Sequence, residues 1–133
     1  MLIKYILRKI FPVTLYVKVS KNKFEISNIQ TKQFLEVFPD ESFTTKRLLI
    51  GEFLIAEQCL RDAFNKITNK WFIFIGPSVV IHPQEMIEGG IFPIENRVFL
   101  EVAYGAGASK VKVWLGNELS DGEVIDYLAS KED

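Results

Sequence analysis

His82 is the single histidine of the chain, and Glu85 and Glu88 follow it closely. An imidazole titrates near neutral pH and can act as a general base. A nucleophile to go with it is missing. No serine–glycine elbow occurs, and the one cysteine, Cys59, lies far off in an apolar helical pattern that implies buried packing. A metal centre needs several ligands converging on one point, and the spacing supplies none. Two-metal phosphodiester hydrolysis needs carboxylates on a central strand to hold ions about 4 Å apart. Residues 13–19 contain no carboxylate, and the first aspartate is Asp40. The expectation is therefore no catalytic residue, no metal and no cofactor, with His82 at a strand end or in a loop.

Residue types suited to contact rather than catalysis are better represented. Residues 1–11 (MLIKYILRKIF) place Leu2, Ile3, Ile6, Leu7 and Ile10 at helical spacing, with Lys4, Arg8 and Lys9 beside them. Two readings stand. The apolar stripe enters a membrane surface while the cations meet anionic lipid at about 1 kcal/mol each. Alternatively, it packs on the domain's own sheet or across a dimer interface. Farther on, Lys110, Lys112 and Trp114 share one side of an alternating run, an aromatic beside charge of the kind common at interfaces. Trp71, Phe72 and Phe74 form a second aromatic group, and the loop 84–90, with His82 and Glu85 at its start, is a further candidate partner surface.

The bulk properties narrow the setting. A chain of 133 residues, 48% hydrophobic and 25% charged, has length for one core and is not disordered in composition. A net charge of −1 offers no basic excess for nucleic acid. One cysteine permits no internal disulfide, which fits a cytoplasmic location. No apolar run reaches the ~20 residues of a spanning helix, and residues 1–11 lack the cleavage pattern of a signal peptide.

The elements that would position these residues follow from periodicity. Pro12 ends the leader. Residues 13–20, 23–29 and 34–38 read as three short strands joined by tight turns. Phe53, Ala56, Leu60, Ala63, Phe64 and Ile67 then recur at the spacing of a helix with one buried stripe. Residues 77–83 form a short apolar strand, and Pro93 opens a helix to about Tyr104 that Gly105 or Gly107 ends. Residues 110–115 alternate as a half-exposed strand, and Ser120 with Glu123 is a capping box for a last helix. The order β-β-β-α-β-α-β-α implies an α/β domain over residues 12–133, a five-stranded mixed sheet with packed helices.

That order is the ribonuclease H-like topology, used by actin-family ATPases and several nucleases. Residues 49–116 resemble the first subdomain of the bacterial actin family MreB. LIGEFLIAEQCLRDAFNKI (49–67) is similar to the family's first helix, PSVVIHP (77–83) to the strand after it, and PIENRVFLEVAYGAGASKVKVW (93–114) to the helix, Gly-Ala-Gly turn and strand before the catalytic carboxylate. The leader is similar to the basic segment by which some MreB proteins lie on the inner membrane. The nucleotide motifs depart from the pattern. Actin-like ATPases put an acidic residue and glycines in the first hairpin, where the chain has Lys18-Val19-Ser20-Lys21-Asn22-Lys23, and a carboxylate where the chain has Trp114-Leu115-Gly116-Asn117. The second half of the family's fold is also not expected here.

Together these features imply a non-catalytic actin-like interaction protein, at the cytoplasmic face of the inner membrane and linked to cell shape or envelope organisation. Its expected partners are proteins such as actin-like cytoskeletal or envelope components, a membrane surface, or a second copy, and not nucleic acid. Alternatives are a small enzyme with a site near His82, Glu85 and Glu88, or a structural subunit of an envelope or secretion assembly.

Overall fold

The computed structural model describes residues 2–69 and 74–131. Trp71 and Phe72 lie outside the described residues, so the aromatic group there is represented by Phe74 alone. The elements are α1 (Leu2–Ile10), β1 (Thr14–Ser20), β2 (Lys23–Asn28), β3 (Phe34–Val37), α2 (Phe53–Ile67), β4 (Ser78–Pro83), α3 (Pro93–Gly105), β5 (Lys110–Val113) and α4 (Asp121–Ala129). They form one five-stranded mixed sheet in the order β3-β2-β1-β4-β5. The hairpin partners β1/β2 and β2/β3 run antiparallel, while β1/β4 and β4/β5 run parallel.

Parallel strands in mid-sheet need cover on both faces, and both are covered here. Leu15, Val17, Val19, Val79 and Ile81 point into the main core with Ala56, Leu60 and Phe64 of α2 and Phe99, Val102 and Ala103 of α3. Tyr16 and Val80 point the other way, onto Val124 and Leu128 of α4. The alternation of one strand thus feeds two cores.

Local signals set the boundaries. Ser120 Oγ accepts the Glu123 N–H at 3.3 Å, and a Glu123 carboxylate oxygen accepts the Ser120 N–H at 2.9 Å, completing the expected capping box. Gly105 is the last residue of α3. Gly107, at φ +120°, turns the chain out of the helix, and the Ala108 N–H reaches back to the Ala103 carbonyl at 3.1 Å.

One device was not read from the sequence. Asn22 sits in the two-residue β1–β2 turn at φ +53°, in the left-handed region that asparagine tolerates. Its Oδ1 accepts the N–H groups of Phe43 and Thr44 at 2.8 and 2.9 Å and the Ser42 hydroxyl at 2.9 Å. This pins the long connection to α2 over the hairpin and seats the fully buried Phe43 against Phe24, ring centroids 4.9 Å apart.

Burial separates two leucines of α2. Leu60 is fully buried and Leu54 is 75% exposed. Leu60→Ala should destabilise the fold by about 2–5 kcal/mol, whereas Leu54→Ala should change it by less than about 0.5 kcal/mol; urea titrations of both variants check the contrast.

Candidate functional site

Toward the carboxyl ends of β1 and β4, Lys18 lies beside His82, and Tyr16 reaches the same imidazole from the middle of β1. His82 is only 3% exposed. Its Nε2 lies 2.9 Å from the Gly116 carbonyl oxygen, an acceptor only, so Nε2 carries the proton. In the neutral ring Nδ1 then accepts from the Tyr16 hydroxyl at 2.7 Å, and the Tyr16 oxygen accepts the Leu119 N–H at 3.1 Å. This chain ties β4 and β1 to the segment that leads into α4. Burial pushes the His82 pKa below the ordinary imidazole value. Nearby Lys18 adds to that, against the opposing hydrogen bond to Gly116.

His82 is the penultimate residue of β4, so the expected strand-end position stands, while its burial corrects its place on an open partner surface. Both ring nitrogens are used inside the fold, and a substrate finds no free lone pair there. Glu85 is directed elsewhere: its carboxylate accepts the Lys21 N–H at 2.7 Å and fastens the β1–β2 turn to the start of the loop. Glu88 is exposed on the same loop. Among the described residues no cluster of histidine, cysteine, aspartate and glutamate could hold a metal ion.

The lysine side of β5 is corrected as well. Lys112 is 7% exposed, and its ammonium donates to the Tyr127 carbonyl at 3.0 Å, the Ser130 carbonyl at 3.3 Å and the Ser130 hydroxyl at 2.8 Å. Lys110 donates to the Leu128 carbonyl. The two cations therefore satisfy the carbonyls left open at the C-terminus of α4, where the helix dipole favours positive charge. Trp114 packs edge-on against Tyr127 at 5.1 Å and donates its indole N–H to the Asn117 carbonyl at 2.8 Å. The strand is found as Lys110–Val113, two residues shorter than the alternating run, and its second face meets α4 rather than solvent.

Helix α1 keeps its candidate role. None of its residues is buried, which rules out packing of the stripe on the domain's own sheet. Leu2, Ile3, Ile6 and Ile10 are all exposed, and Leu7 is half-buried. The cations turn toward the body instead. Arg8 donates to the Ile75 carbonyl at 3.0 Å, and Lys4 lies 4.5 Å from the centroid of the Phe74 ring. Lys9 stays on the helix surface over Tyr5. The helix is thus held by its polar side with its apolar side outward.

A groove that sequence reading missed runs between β3 and α2, with a volume of about 620 Å³. Its lining includes Val37, Leu54, Ile55, Cys59 and Ala63, with Glu36, Asp40, Glu41 and Asp62 against one cation, Lys66. Cys59 packs against the core on one side and lines the groove on the other. Burial, with Asp62 and Asp40 nearby, pushes its thiol up to about 11, so it stays protonated and unreactive at neutral pH.

No protein-family model matches the chain. It is 30% identical over 126 residues to the uncharacterized protein YjaA of Escherichia coli (strain K12), across 88% of this chain and 98% of YjaA. The chain belongs to the YjaA family. No helix among the described residues of this YjaA-family protein is long and apolar enough to cross a membrane.

The Tyr16–His82 pair gives two expectations. Tyr16→Phe strands the Leu119 N–H and His82 Nδ1, and should destabilise the fold by about 1–3 kcal/mol. Because the folded state binds the His82 proton less readily than the unfolded chain, the histidine's contribution is fully present above about pH 6.5. It declines as pH falls below that value toward the depressed folded-state pKa. Denaturation midpoints between mildly alkaline and mildly acidic pH should show this loss, and His82→Gln should remove that part of the slope.

Proposed function

We propose that this chain is a non-catalytic interaction protein of ribonuclease H-like, actin-like fold, resembling the first subdomain of MreB. In this reading it docks through α1 onto envelope or cell-shape partners at the cytoplasmic face of the inner membrane. The strand order β3-β2-β1-β4-β5, with β2 alone antiparallel to its neighbours on either side, supports the fold reading. So do the crossover helices that join β3 to β4 and β4 to β5.

One observation carries the functional reading: the apolar stripe of α1 faces outward while Arg8 and Lys4 hold the helix to residues 74–75. A nine-residue helix with four exposed aliphatic side chains is costly to leave in water, and a partner that covers them removes that cost. A protein surface fits better than lipid alone, because two of the three cations that would meet lipid headgroups are turned inward.

Two features support the absence of catalysis. The turn that wraps phosphates in actin-like ATPases is held here by Asn22 against residues 42–44. At the strand ends, His82 has both nitrogens engaged within the fold, which disfavours the enzyme reading.

A fluorescent fusion of the full chain should localise to the cell periphery, and one lacking residues 1–11 should be diffuse. Diffuse fluorescence from both would overturn docking of α1 onto envelope partners.

A further inference from the structure

We propose that the acidic groove between β3 and α2 receives helix α1 of a second copy of this chain. The inference rests on α1 being a docking element and gives it a second copy of this chain as partner, in place of an envelope protein. Each surface lacks what the other has. The groove has an apolar floor of Val37, Leu54, Ile55, Cys59 and Ala63, with Glu36, Asp40, Glu41 and Asp62 around it. Helix α1 has an apolar face and no acidic residue. At 100° per residue, Leu2, Ile3, Ile6, Leu7 and Ile10 occupy one side of α1, flanked by Lys9 on one edge and by Lys4 and Arg8 on the other. A stripe with Lys9 along its outer edge thus faces a floor bordered by carboxylates.

Length agrees as well. At 1.5 Å per residue α1 is about 13 Å long, and the stretch of α2 from Leu54 to Lys66 that lines the groove is about 18 Å. The groove has room for a row of aliphatic side chains, so the helix lies along it with one face inserted.

The chain's own α1 does not reach the groove. Arg8 and Lys4 hold it beside residues 74–75, which lead into β4, on the far side of β1 from β3. Held there, the chain's own α1 leaves the groove open, and the helix that fills it is that of another molecule.

Sedimentation velocity over a range of protein concentrations tests this with the full chain. The wild type should self-associate, less so at high salt because charge contributes. Ile6→Asp in α1 should sediment as a monomer, and so should the double variant Asp40→Lys/Asp62→Lys in the groove. All three positions are exposed, so both variants should keep the wild-type circular dichroism, and the wild-type urea midpoint at concentrations too low for association. Mixing the two variants should restore a heterodimer, since one supplies an intact groove and the other an intact α1. A wild type that stays monomeric throughout would overturn the inference. A groove variant that still associates while Ile6→Asp does not would also overturn it, but would leave α1 as a docking element for some other surface. Association unaffected by either variant would refute both.

Discussion

The parallel pairing of β1 with β4 is the constraint on which the other elements depend. β1 lies between an antiparallel hairpin partner and a parallel neighbour, and Leu15, Val17 and Val19 on one face and Tyr16 on the other are at most 4% exposed. A strand buried on both faces forces helices onto both. Helices α2 and α3 cover one side, and α4 covers the other. The Tyr16–His82 hydrogen bond crosses the same strand pair and carries on to residues 116–119, so the segment leading to α4 is fixed from within the sheet. Polar groups at these strand ends act as internal fastenings.

The alternatives to catalysis take shape from the same geometry. In an α/β sheet the carboxyl ends of parallel strands are the common place for a ligand. Here that end carries the buried His82 and the Lys18–Glu118 ion pair, and the first hairpin turn is tied down by Asn22 and Glu85. The surfaces left open lie elsewhere: the outward stripe of α1 and the groove at the β3 edge of the sheet. Under the proposed reading, those two surfaces are where the molecule makes its contacts.

What the sequence revealed is what short-range periodicity encodes. The buried stripe of α2, the Ser120–Glu123 box, the strand at β5 and the β-β-β-α-β-α-β-α order all depend on residues within a few positions of one another, and all stand in the structure. What it hid depends on distance. The burial of His82 is set by Tyr16, 66 residues away. The inward face of Lys112 is set by where α4 comes to rest, because an alternating strand reads the same whether its second face meets water or a helix. The groove arises from two elements, β3 and α2, whose polar residues look like ordinary solvated charge when each is read alone. Asn22 did carry a legible signal, since Lys-Asn between two alternating runs marks a two-residue turn, but its grip on residues 42–44 is again a long-range contact. For α1 the amphipathic pattern was plain, whereas the direction of its apolar face became known only from the contacts of Arg8 and Lys4.

The central proposal is that this α/β domain works by contact and does not use a nucleotide. Isothermal titration of Mg-ATP into the full chain tests it most directly. The account predicts no saturable heat above dilution. Tight, stoichiometric binding would contradict it, and would mean that the hairpin turn held by Asn22 opens to admit phosphate.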